Sequence, residues 1–168
     1  MRTFSTPYRE VQVNKTDFSQ LYLHLLPKLY NLAMSILRNQ ADAQDAVQET
    51  ALKAWQHNEQ IRSDSEKAYI TRILINECYN TLRIRNRIVP AQEILEDLSY
   101  VDPDLSELQD AIDQLPEKLR TALLLVYQEG YSYREASQAL RIHPSALRSR
   151  LKRAKKALRS QLIEWKEE

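Results

Sequence analysis

A chain of 168 residues has room for one or two domains. Its single glycine excludes a glycine-rich phosphate loop, and its single cysteine, Cys78, excludes a disulfide within the chain. The net charge of +1 conceals segregation: Ala91–Asp113 holds eight acidic residues and no basic one, and Ser137–Ile163 holds eight basic residues and no acidic one.

Valine is sparse, while Leu, Ala, Arg, Gln and Glu dominate, which favours an all-α protein. The N-terminal residues are polar, with no apolar core of a signal peptide. No run approaches the roughly 18 apolar residues of a membrane span. The expectation is a cytoplasmic protein with no direct membrane insertion.

Residues 1–17 read as a polar tail. Phe18, Leu21, Tyr22, Leu25, Leu29, Leu32, Ala33 and Ile36 then form one helical stripe. Pro27 predicts a kink and not a stop, because the stripe stays in phase across it. Asn39 with Asp42 reads as a cap and its partner for a second helix. Ala43, Ala46, Val47, Thr50, Ala51 and Ala54 line that helix's core side. Asp45, Gln48, Glu49 and Leu52 form a neighbouring stripe, polar but for one outward leucine, which is the pattern of a docking surface.

His57–Asp64 reads as a polar loop, and Ser65 as the cap of a third helix reaching about Arg87. Ile70, Leu74, Ile75, Cys78 and Leu82 are its core candidates. On another side, Tyr69, Arg72, Asn76, Asn80, Arg83 and Arg87 recur at spacings of three and four. An aromatic that can stack, with amides and guanidinium groups beside it, suits single-stranded nucleic acid. Residues 89–104, with Pro90 and Pro103, read as an acidic linker. A second helical unit begins near Leu105, where Pro116–Glu117 opens a helix through Leu119–Tyr127 that Gly130 ends.

Ser132–Leu151 reads as a helix, a tight turn and a second helix. Ser132 and Glu135 form a capping box, Ala136, Ala139 and Leu140 give a small apolar face, and Arg141–Ile142 make the turn. Pro144 suits the first position of the second helix, whose stripe is Leu147, Leu151, Ala154, Leu158 and Leu162. Its other faces carry Arg148, Arg150, Lys152, Arg153, Lys155, Lys156 and Arg159. So basic a second helix suits the major groove of DNA. His24, His57 and His143 are isolated, and no metal, cofactor or nucleophile motif accompanies them, so the chain reads as a binding protein and not an enzyme.

Three stretches together carry a family likeness. Ala41–Trp55, Lys67–Arg85 and the helix–turn–helix resemble regions 2.2, 2.3–2.4 and 4.2 of the sigma-70 family, in its extracytoplasmic-function (ECF) class. The resemblance covers Phe18 to Leu162. It implies two helical domains, 18–88 and 105–168, joined by the flexible acidic linker. It also implies a promoter-selecting subunit whose partners are core RNA polymerase, promoter DNA and a membrane-linked anti-sigma factor. Asp45, Gln48, Glu49 and Leu52 then fall where the family docks on the polymerase clamp helices. The loop His57–Asp64 and the stripe Tyr69, Arg72, Asn76, Asn80 and Arg83 fall where it opens and reads the −10 element. Ser145, Ala146, Arg148, Ser149, Lys152 and Arg153 fall where it reads the −35 element. Three positions depart from the pattern: Tyr69 replaces a frequent Trp, Arg141 a frequent turn Gly, and Ser145–Ala146 a frequent Gly–Thr. Two rival readings are a stand-alone helix–turn–helix regulator that needs no polymerase, and a helical interaction protein with no DNA role.

Overall fold

The computed structural model describes residues 15–57, 65–88 and 103–166. Among them there are helices and no strands. The tail 1–14, most of the His57–Asp64 loop and most of the 89–104 linker lie outside the described residues.

Three helices form the first unit: α1 (Lys15–Leu37), α2 (Gln40–Gln56) and α3 (Glu66–Ile88). α1 runs unbroken through Pro27, as the in-phase stripe demands. Phe18, Leu25, Leu29, Leu32, Ala33 and Ile36 are all buried. Each fully buried leucine contributes about 1.5–3 kcal/mol of transfer free energy. The Tyr22 hydroxyl donates to the Val47 carbonyl at 2.6 Å, tying α1 to α2, and burial pushes its phenol up to about 12. The Asn39 side chain accepts from the Asp42 amide at 2.9 Å and starts α2. Ala43, Ala46, Val47, Thr50 and Ala54 face inward, so α2 lies close to its neighbours with little side chain between. Ile70, Leu74, Ile75 and Cys78 of α3 close this core, and burial raises the Cys78 thiol to about 12.

The second unit has α4 (Pro103–Asp113), α5 (Glu117–Leu123), α6 (Tyr133–Leu140) and α7 (Pro144–Lys166). α4 begins at Pro103, slightly before the expected start. The helix expected over Leu119–Tyr127 is α only as far as Leu123. Leu124–Gln128 continue as a π-helical turn, with the Glu129 amide donating to the Leu124 carbonyl at 3.0 Å. Gly130 follows with φ +67°, the left-handed conformation that favours glycine.

The helix–turn–helix matches the expectation in detail. Ser132 Oγ accepts from the Glu135 amide at 3.2 Å, and Glu135 accepts from the Ser132 amide at 2.8 Å. Leu147, Leu151 and Ala154 bury the stripe of α7, while Leu158 and Leu162 are half-buried. The turn lacking glycine is made by Arg141 itself, at φ 52° and ψ 47°. Its amide and that of Ile142 close the end of α6 on the Gln138 and Ser137 carbonyls.

The two units are in contact. One cluster of buried apolar residues runs from Phe18, Leu29 and Leu74 through Leu125 and Tyr131 to Ala136 and Leu147.

A left-handed conformation costs a residue with a Cβ roughly 1–2 kcal/mol. Arg141→Gly is therefore expected to stabilise the protein by about 1 kcal/mol after the extra freedom glycine gains on unfolding. A higher urea midpoint at unchanged slope is the readout. Arg141→Ala, which keeps the Cβ, should show no gain.

Candidate nucleic-acid interface

Three surfaces were expected from sequence, and each has a place in the fold. On α2, Asp45, Gln48, Glu49 and Leu52 are all exposed, Leu52 to 57%. They stand away from the Ala43–Ala54 core side, which leaves more than half of the Leu52 side chain facing solvent. Lys53 on the same helix pairs with Glu77 of α3, which holds α2 to α3 beside this surface.

On α3 the stripe divides. Asn76, Asn80, Arg83 and Arg87 are exposed, while Tyr69 and Arg72 are half-buried. Arg72 does not project freely. Its guanidinium donates to the Gln138 carbonyl at 2.6 Å and to the Ala139 carbonyl at 3.1 Å, at the C-terminal end of α6. A helix C-terminus carries partial negative charge and unpaired carbonyls, so it suits a cation. Burial lowers the Arg72 pKa, and the nearby Arg141 lowers it further. Arg83 reaches Glu117 at 3.4 Å.

Further pairs flank Arg72 that the sequence reading did not single out. Lys67 pairs with Glu135 at 2.7 Å and lies 4.1 Å from the centre of the Tyr131 ring. Thr71 and Tyr131 share a hydrogen bond of 2.8 Å, and Tyr79 and Thr121 one of 2.5 Å. Burial raises the phenols of both tyrosines. No periodic signal marks these residues: a threonine and a tyrosine within a helix read as neutral until their partners are known.

On α7, Ser145, Arg148, Ser149, Lys152 and Arg153 are exposed and Ala146 is half-buried. All six lie in its first three turns. His143, expected to be isolated, has a local role. Its Nδ1 lies 2.8 Å from the Ser145 hydroxyl and accepts from the Ser145 amide at 3.3 Å, while its carbonyl receives the Ala146 and Leu147 amides. The imidazole thus caps the helix at the point where Ser145 emerges. Histidine is not among the usual caps, which is why the sequence alone did not show it. Further along, Lys155 Nζ lies 4.4 Å over the Tyr127 ring. Among the described residues no group of three or more His, Cys, Asp or Glu side chains could hold a metal ion, and no helix is long and apolar enough to cross a membrane.

Family models match both units in order: sigma-70 region 2 over residues 21–88 and sigma-70 region 4 over residues 105–158. The chain belongs to the sigma-70 family. Among its relatives is the ECF RNA polymerase sigma factor SigE of Mycolicibacterium smegmatis, 31% identical over 94% of this chain; the match spans 66% of that relative's length. RNA polymerase sigma-H factor of Pseudomonas aeruginosa is 31% identical, with 86% of each chain covered. RNA polymerase sigma factor SigV of Bacillus subtilis is 34% identical over 79% of this chain and 83% of its own. A co-crystal structure of the sigma factor RpoE with the anti-sigma factor NepR from Bartonella quintana superimposes with TM-score 0.71 at 31% identity, covering 88% of this chain and 98% of that one. CnrH, solved with the cytosolic domain of CnrY, shares the fold at TM-score 0.71 and 23% identity, with 90% of each chain covered. As an ECF sigma factor the chain binds core RNA polymerase and directs promoter-specific initiation.

Loss of a helix cap costs about 0.5–2 kcal/mol. His143→Ala should fray the first turn of α7 and speed hydrogen exchange at the Ala146 and Leu147 amides, leaving those of Ala154 unchanged. His143→Asn, a stronger cap, should restore slow exchange.

Proposed function

We propose that this sigma factor divides its work among the three surfaces. Asp45, Gln48, Glu49 and Leu52 dock on core polymerase. Tyr69, Arg72, Asn76, Asn80 and Arg83 open and read the −10 element, together with the loop at 57–64. Ser145, Ala146, Arg148, Ser149, Lys152 and Arg153 enter the major groove at the −35 element. Residues 18–88 and 105–168 act as separate domains during initiation, with the acidic segment 89–104 between them. The observation that carries this reading is the order of the two matched regions on two helical units, which expose Asp45, Gln48, Glu49 and Leu52 on α2, Asn76, Asn80 and Arg83 on α3, and Arg148 and Lys152 on α7.

Physical arguments support each assignment. A carboxylate pair beside an exposed leucine offers charge and apolar contact on one helix face, the mixture found at docking surfaces. Arginine and asparagine can read base edges, and a tyrosine can stack on an unpaired base for about 1–3 kcal/mol. In a helix–turn–helix the first turns of the second helix reach base edges, and the later turns leave the groove. The role is binding, not catalysis, and the place of work is the cytoplasm, where core polymerase is met. A membrane-linked anti-sigma factor is the expected regulator. Support for an anti-sigma partner comes from the RpoE relative, which is itself solved with one.

The whole reading is tested by mixing the chain with sigma-free core polymerase and a promoter library. Specific transcripts are expected. A stand-alone regulator would bind duplex DNA without the polymerase and yield no transcript.

Two variants test the parts. Asp45→Arg with Glu49→Arg should abolish co-purification with core polymerase at unchanged helical circular dichroism, since both carboxylates are exposed. Arg148→Ala should reorder the ranking of −35 variants, with losses of about 1–3 kcal/mol at the base pair it reads. Lys156→Ala should leave that ranking intact and lower the salt slope by about one unit. Transcription across −35 variants at several salt concentrations separates the two.

A further inference from the structure

The start of α7 brings a helix cap and a base-reading side chain into the same turn. Pro144 has no amide hydrogen, and the amides of Ala146 and Leu147 go to the His143 carbonyl at 2.9 and 3.1 Å. The Ser145 amide is left for a side chain, and it donates to His143 Nδ1 at 3.3 Å. The Ser145 hydroxyl reaches the same nitrogen at 2.8 Å. Ser145 is exposed, on the side of α7 that also carries Ser149 and Lys152 at helical spacing.

An amide N–H can only donate. Pointed at Nδ1, it needs a lone pair there, so the uncharged ring carries its proton on Nε2. A proton on Nδ1 would set two hydrogens face to face, and the same contact excludes the doubly protonated ring. The serine hydroxyl then has one way to meet this nitrogen, which is to give it its hydrogen. What Ser145 Oγ turns to solvent is lone pairs alone. We propose that His143 is a positioning residue for −35 recognition: it makes Ser145 an acceptor, so that Ser145 selects a base bearing an exocyclic amine. The proposal rests on the assignment of Ser145 as a reader of the −35 element.

In the major groove the amines are N6 of adenine and N4 of cytosine, whereas guanine offers N7 and O6 and thymine O4, all acceptors. A serine whose hydrogen rotates freely meets donors and acceptors alike, and so discriminates little. With its hydrogen committed to the imidazole, Ser145 cannot donate to guanine, to thymine or to a phosphate oxygen without giving up the 2.8 Å contact. At the base that faces Ser145 the chain therefore favours adenine or cytosine. Arg148, one turn further along, has a guanidinium that only donates and suits guanine. Neighbouring turns of one helix thus ask opposite things of the bases they meet.

The test is transcription by holoenzyme from synthetic promoters in which each −35 base pair is varied in turn, read as the order of bases at each position. Wild type should prefer adenine or cytosine at a position where Ser145→Ala is indifferent. Replacing that base by its analogue without the amine, purine for adenine or 2-pyrimidinone for cytosine, should cost wild type about three- to tenfold more than it costs Ser145→Ala. His143→Gly separates orientation from capping, because glycine is an accepted cap but offers the hydroxyl no acceptor. It should keep slow exchange at the Ala146 and Leu147 amides and lose the amine preference at that position alone. His143→Asn, whose Oδ1 can accept from both the amide and the hydroxyl, should restore the preference. A His143→Gly protein that keeps the preference, or that loses activity equally on all −35 variants, would overturn the proposal, as would a preference for guanine or thymine at the position Ser145 reads. If Ser145→Ala alters the order of bases at no position, the assignment of Ser145 itself falls, a failure that this variant keeps distinct from that of His143.

Discussion

One helix, α3, is held on two sides at once, and the arrangement of the molecule depends on it. Ile70, Leu74 and Cys78 face α1 and α2 and close an apolar core. Thr71 and Tyr79, on an adjacent face, meet Tyr131 and Thr121 of the second unit. Only the remaining side, with Asn76 and Asn80, faces solvent. A helix has about 3.6 residues per turn, so three demands on one helix leave neighbouring residues with different tasks. Arg72 stands at the border of two of those faces, where the Gln138 and Ala139 carbonyls of α6 hold its guanidinium.

The two sides of α3 are held by different physics. The inner face is apolar and tightly packed, and separating it would expose Ile70, Leu74 and Cys78 together. The outer face adds hydroxyl pairs, ion pairs and guanidinium–carbonyl contacts, each worth about 0.5–1.5 kcal/mol net or more where a charge takes part, to the apolar cluster that continues across it into Leu125, Tyr131 and Ala136.

Much of this was legible in the sequence where one local rule decides the outcome. The α1 stripe, the inward alanines of α2, the Asn39 cap, the Ser132–Glu135 box and the basic α7 all follow from helical spacing or capping chemistry, and the structure has them where expected. The outward placement of Asp45, Gln48, Glu49 and Leu52 followed from the same spacing. The seam between the units did not, because its contacts pair residues about 40 to 70 positions apart through single hydroxyls, and such pairs leave no periodic trace. Arg141 was recognised as a turn without glycine, but not as the residue that itself adopts the left-handed conformation. The His143 cap escaped notice because an imidazole seldom plays that part.

The π-helical turn at Leu124–Gln128 has a consequence for how this protein tolerates change in length. A π turn amounts to a regular helix with one residue to spare. Removing a residue there would leave a good α-helix, with no broken hydrogen bonds to betray the loss. Yet every side chain beyond it would be rotated by roughly 100° relative to what precedes it. Tyr131 would no longer face Thr71, and Glu135 would turn away from Lys67. The surplus residue acts as a phase setting between the halves of the molecule: a shortened relative could keep every helix and still be unable to bring its two units together in this way.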